Sequence, residues 1–175
     1  MAGGTGFFAT YRKFLLTVRA LLILVIIAAV TAFIVFTDVV DLPEAFDAME
    51  PSIERGARLL VLVHPSESSL KRFSVVFFEP PGKSDKQALG RIIALPGETV
   101  SSSEGVVFVN SRPLNESFYP PGKPRPALPE DIPEYKVPQG SYFILVDNRS
   151  RTGIDSRDFG AIPFGNIVSR VLVKF

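Results

Sequence analysis

Residues 90–98 read Gly-Arg-Ile-Ile-Ala-Leu-Pro-Gly-Glu. An apolar, partly β-branched run that closes on Leu-Pro-Gly is a strand delivered into a tight turn, because proline presets one backbone angle and glycine accepts the positive one. The same pattern recurs on both sides. Runs at 58–63, 74–78, 105–110, 141–146 and 167–173 are rich in Val, Ile and Phe and are bounded by Pro, Gly or Ser, which is the composition of short strands. Glu79-Pro80-Pro81-Gly82 makes a further turn between two of them. No long helical period interrupts the series, so the expected class is mainly β. The stretch 119–138 carries Pro120, Pro121, Pro124, Pro126, Pro129, Pro133 and Pro138. It is expected to be an extended surface loop, since proline cannot donate to a ladder.

Before the strands lies an uncharged run from Ala20 to Thr37, extended backwards by Phe14 to Val18. Its length approaches the roughly 20 residues that span hydrocarbon. Arg12, Lys13 and Arg19 precede its centre, whereas Asp38, Asp41, Glu44 and Asp47 follow it. The positive-inside bias then puts 1–13 in the cytoplasm, 14–37 in the membrane as a single-pass anchor, and 38–175 outside as one β domain. A cleaved secretory signal is the competing interpretation, with a small-residue site near Val30-Thr31-Ala32. The apolar run exceeds the roughly 7–15 residues of such a signal and continues through Phe36.

Composition removes several classes of function. A formal net charge of +1 gives no bulk attraction to nucleic acid. The absence of Cys, with His64 as the one histidine, rules out thiolate chemistry and argues against a metal site or metal cofactor. After the strand at 141–146 come Asp147-Asn148-Arg149 and then Asp155-Ser156-Arg157. This charged cluster is either a solvated turn or a brace for a loop.

Taken in order, the segments resemble the type I signal peptidases of the Ser-Lys class. Ala48-Met49-Glu50-Pro51-Ser52-Ile53 is similar to that family's Ser-Met-x-Pro-Thr-Leu, and residues 90–98 to its Lys-Arg-Val-Ile-Gly-Leu-Pro-Gly-Asp. Val107 to Asn110, Leu114-Asn115-Glu116 and the segment 137–143 match its hairpin and its Val-Pro-x-Gly-x-Tyr-Phe. Asp147, Asn148, Arg149, Asp155, Ser156, Arg157 and Gly160 match its last motif, with Val146 in place of a glycine and one extra residue in 150–154 that leaves the alignment of Thr152 open. The resemblance implies an antiparallel, partly barrel-like β domain behind one transmembrane helix. It also implies a serine nucleophile and a lysine base. Here those two positions hold Ala48 and Gly90, neither of which can do that chemistry.

The expected function is therefore a catalytically inactive, membrane-anchored homologue that binds peptide, precursor or an assembly partner. Its partners would be membrane lipid and either a secretory precursor, a pilin-like substrate or membrane-complex subunits. By resemblance the peptide groove would involve Phe46, Met49, Pro51, Arg91, Ile92 and Ile93, with strand edges at 46–52 and 91–95. Asp147, Asn148, Arg149, Asp155, Ser156 and Arg157 would give structural support. Two alternatives stay open: a structural subunit of a membrane complex, and an active peptidase with another dyad. The latter would need Ser52 with a base from Lys83, Lys86 or His64. Four residues of extended chain, about 13 Å, separate Ser52 from Ala48 and Lys86 from Gly90, which argues against direct replacement.

Overall fold

The computed structural model describes residues 4–82, 86–151 and 155–175. It divides into two units, Met1–Thr37 and Asp38–Phe175. The first is the helix α1, Gly4–Phe36, of 33 residues. Its segment Tyr11–Phe36 is long and apolar enough to cross a membrane. The side chains there lie exposed, as expected of a helix whose apolar surface is not matched by a protein core.

The second unit is built from two antiparallel sheets. The larger contains β1 (Thr37–Asp41), β2 (Arg58–Val63), β3 (Val75–Phe78), β4 (Ala88–Ala94), β9 (Ser141–Leu145), β10 (Ile162–Pro163) and β11 (Ile167–Lys174), in the order β1-β2-β11-β3-β4-β9-β10. The smaller contains β5 (Thr99–Ser103), β6 (Val106–Val109), β7 (Arg112–Pro113) and β8 (Tyr135–Lys136), in the order β7-β6-β5-β8. Two tight turns form its hairpins. Glu104 and Gly105 both take positive φ, as do Asn110 and Ser111, which matches the twist of the flanking strands.

Side-chain alternation decides what each strand faces. In β2, Leu59 and Val61 are buried while Arg58 is exposed, the period of a sheet with one covered face. In β9 every residue is buried, so this strand is covered on both faces. Three apolar clusters result. One gathers Leu42, Ala48, Met49, Leu59, Val61 and Leu89. A second joins Ile93, Val100, Val107 and Phe143 under the smaller sheet. The third holds Phe78, Ile92, Ile144 and Ile162.

Several local details differ from the sequence-based expectation. β4 begins three residues before Arg91, because the side chains of Ala88 and Leu89 find partners in the core. Tyr135 and Lys136, inside the proline-rich stretch, pair with Val100 and Thr99. Neither is a proline, so both retain the N–H that a ladder needs. The rest of that stretch has few bonds of its own, but its tail is pinned: Ile132 N–H donates to Ser102 Oγ at 2.6 Å and Ser102 N–H donates back to the Ile132 carbonyl at 2.9 Å. Ser102→Ala strands the buried Ile132 N–H and is expected to cost about 1–3 kcal/mol, read as a lowered midpoint in denaturant titration of the full chain in detergent.

Candidate functional site

Residues 47–53 form a compact turn, not the extended segment expected. Glu50 N–H bonds the Asp47 carbonyl at 3.2 Å, and Ser52 and Ile53 N–H bond the Met49 carbonyl at 3.0 and 2.9 Å. The estimate of 13 Å for an extended chain therefore does not describe the separation of Ala48 from Ser52. Ala48 is 4% exposed, and its methyl belongs to the cluster of Met49, Leu59, Leu89 and Val146. Its carbonyl accepts from Asn148 N–H at 2.9 Å. Asn148 Nδ2 adds a bond to the Asp47 carbonyl at 3.2 Å, and Arg151 pairs with Asp47 at 2.8 Å. The turn is thus fastened to the segment that follows β9.

Gly90 lies on β4 opposite Val76. A Cβ at this glycine would point at Ile144 Cγ2, 2.6 Å away, with Leu145 O and Phe78 Cε1 each at 3.3 Å. Its side-chain direction therefore enters the third cluster. Neighbouring Leu89 enters the cluster of Ala48.

The other groove residues fall differently. Phe46 is half-buried and packs against the Ala48 cluster, as Phe77 and Val63 do, and Pro51 is also half-buried. Met49, Ile92 and Ile93 are fully enclosed. Residues 91–94 offer no free edge: β9 pairs with them from Arg91 to Ala94, while on the other side Phe73 N–H donates to Ile92 O and Ile92 N–H to Ser74 O. The β9 ladder ends at Arg91↔Leu145. Ala88, Leu89 and Gly90 are registered with β3 alone among the described residues. The part of β4 without a β9 partner therefore lies just before the expected stretch.

The charged motif is buried and divided among separate partners. Arg91 Nε and Nη2 donate to the two carboxylate oxygens of Asp147 at 2.8 and 2.6 Å, and its Nη1 donates to Phe73 O. Asp155 is fully buried; it accepts from Val146 N–H at 3.0 Å and from Arg157 N–H and Nε. Arg157 also donates to the Arg149 and Arg151 carbonyls. Ser156 Oγ accepts from Ile144 N–H at 2.9 Å. Arg149 finds Glu116 at 2.6 Å and Tyr119 Oη at 3.1 Å. From sequence Glu116 appears only in the hairpin match Leu114-Asn115-Glu116, and neither it nor Phe118 nor Tyr119 is assigned to the site. Pairing Arg91 with Asp147 and Arg157 with Asp155 leaves Arg149 in need of an acid, and that deficit was the available signal.

The candidate amines among the described residues lie as follows. Lys174 Nζ donates to the carbonyl of Ser52, not to its hydroxyl, and Lys174 itself is exposed. The Ser52 hydroxyl is buried and has no hydrogen-bond partner among the described residues. His64 sits exposed just beyond β2, and Lys86 is exposed. Lys83 and Thr152 lie outside the described residues.

With this geometry in place, comparison with known proteins identifies the class. The model of the family "Signal peptidase, peptidase S26" matches residues 15–175, and this chain belongs to that family. The probable signal peptidase I-1 of Synechocystis is 32% identical over 143 residues, covering 74% of this chain and 67% of that protein. Signal peptidase I V of Bacillus subtilis is 34% identical over 131 residues, covering 69% of this chain and 76% of that protein. A crystal structure of a signal peptidase I from Enterococcus faecalis aligns with 28% identity and a TM-score of 0.49, over 59% of this chain and 97% of the other.

Two predictions test the network. Asp155→Ala removes the acceptor for Val146 N–H and leaves Arg157 uncompensated, for an expected loss of about 3–5 kcal/mol in denaturant titration. Tyr119 supplies a pH test. Burial raises its pKa above the ordinary phenol value, against the lowering by Arg149, and its hydroxyl donates to Asp147 O at 2.8 Å. A raised folded pKa means that this contribution is complete below the unfolded value of about 10 and is lost as pH climbs through the folded value. Melting curves should fall in that alkaline window, and Tyr119→Phe should flatten the fall.

Proposed function

We propose that this chain is a membrane-anchored, non-catalytic signal peptidase homologue that binds extended peptide. The observation that carries the proposal is the Ala48 methyl, enclosed in an apolar cluster at the position where the family resemblance calls for an attacking oxygen. The position matched to the base is Gly90, and the exposed Lys174 is engaged by a carbonyl. A methyl forms no acyl intermediate, and a serine without a desolvated base is a poor nucleophile.

Binding has a physical basis that survives loss of chemistry. An extended segment can add to β4 at Ala88–Gly90, where β9 does not pair, through main-chain bonds, with alternate side chains directed toward Phe46, Val63 and Phe77. The partners this suits are a secretory precursor or a pilin-like substrate held at the outer face of the membrane. The anchor would place residues 1–13 in the cytoplasm and the β domain outside, from the charge asymmetry around α1. The chain would then act as a precursor-binding or assembly factor. Exposed Val39, Leu172, Val173 and Phe175 favour a second role, as a subunit seated against other membrane components. The names of the relatives favour an active peptidase.

One experiment separates the three. The full chain, purified in detergent, is incubated with a signal-peptide precursor, and a photoreactive group at position 46 or 88 is activated in native membranes. Crosslinks to several precursors without cleavage are expected. Robust turnover by the unaltered chain would establish a peptidase, and a single stoichiometric partner a subunit.

A further inference from the structure

We infer that the space a base side chain would occupy at position 90 has been closed by repacking, and that Ile144 is the residue that closes it. This rests on reading position 90 as the place of the base, and it concerns why the site cannot regain chemistry by replacement of two side chains alone. The Cβ direction at Gly90 meets Ile144 Cγ2 at 2.6 Å, closer than a real side chain approaches, with the Leu145 carbonyl and the Phe78 ring at 3.3 Å on either side. None of the three yields easily. Ile144 and Phe78 are fully buried, and Cγ2 branches directly from the Ile144 Cβ, so it moves only if χ1 leaves its staggered well. The Ile144 amide is itself held by Ser156 Oγ, and its Cα faces Ile92 across the β4–β9 ladder. The wall is therefore fixed from the side of the charged motif. A lysine stem at 90 would have to push this wall aside before its amine could be held in dry surroundings that lower its pKa.

Backbone conformation does not explain the glycine. Gly90 lies within a regular strand and has no left-handed φ, so alanine there should ordinarily stabilise the chain by restricting its unfolded state. Closure by Ile144 reverses that sign. It also makes a particular atom responsible: valine at 144 keeps a γ-methyl on Cβ, whereas alanine removes it.

The test is a double-mutant cycle on the full chain in detergent, read by melting temperature. Gly90→Ala should lower the midpoint by several degrees in the native background and in Ile144→Val. In Ile144→Ala it should be neutral or stabilising, because the coupling between contacting sites is what the cycle isolates. An unchanged or raised midpoint for Gly90→Ala with Ile144 present would overturn the inference, as would an equal loss in all three backgrounds. A second measurement follows the amine introduced by Gly90→Lys through carbon-13 dimethyl labelling. With Ile144 present it should titrate near the ordinary value of about 10.4. With Ile144→Ala it should titrate lower, and a lowered titration with Ile144 intact would also overturn the assignment. Neither readout involves peptide cleavage, so turnover by the unaltered chain would refute the non-catalytic proposal without disturbing this cycle.

Discussion

The fold around the candidate site depends on the bidentate pair between Arg91 and Asp147. Its two bonds, at 2.8 and 2.6 Å, join the middle of β4 to the residues that leave β9, 56 positions later in the chain. Both side chains are almost entirely removed from water. A pair so placed stabilises only when its remaining hydrogen-bonding capacity is met, since desolvation otherwise exceeds the attraction. Arg91 meets it through Phe73 O and through its position 4.1 Å over the Phe118 ring. Phe73 takes a positive φ of 70°, an unfavourable conformation for a bulky residue. Its carbonyl is nevertheless delivered to the guanidinium, so local strain coexists with satisfaction of a buried charge.

From this pair the order extends in two directions. Toward the N-terminal side, Asn148 holds the Ala48 and Asp47 carbonyls, so the turn at 47–53 is positioned by the segment that Asp147 anchors. Toward the C-terminal side, Arg149 recruits Glu116, just before the proline-rich stretch, and Tyr119 at its start. Phe118 stacks nearby against Phe73 and Tyr119. Asp155 then fixes Val146 N–H and Arg157. Segments far apart in sequence thus meet through three separate ion pairs, whose charge-assisted bonds are shorter and stronger than neutral ones, with neutral bonds linking them.

Sequence made the repeating elements legible because strands carry a period of two and turns carry Pro and Gly. β2 and β11 follow from their apolar, β-branched composition, and the buried–exposed alternation shows in β2 and the first half of β11. β1 did not, because Thr37–Asp41 places two acids in a five-residue strand and directly continues an apolar helix. The short β8 was hidden by the surrounding prolines. At the site, residue types at 48 and 90 could be read from aligned segments, but directions could not. That Leu89 shares the Ala48 cluster while Gly90 faces Ile144 is a property of strand pairing. Arg91, Ile92 and Ile93 illustrate the same limit: their apolar, strand-like pattern was visible, yet full pairing of 91–94 leaves 88–90 as the part of β4 without a β9 partner.

Persistence of the charged network beside an apolar site follows from unequal penalties. On the proposed reading, Ala48 stands where a nucleophile would, and its methyl packs with Met49 and Leu89, an exchange with little folding penalty. On the same reading, glycine in place of a lysine at position 90 removes a cation that burial would otherwise penalise. Losing Asp147 or Asp155 is different, because each leaves an arginine that is largely removed from water without its counterion. Chemistry can therefore disappear from such a scaffold while its bracing remains. The 88–90 part of β4 needs the same bracing whether a bound peptide is to be cut or only held, since main-chain pairing requires a fixed strand, not a reactive side chain.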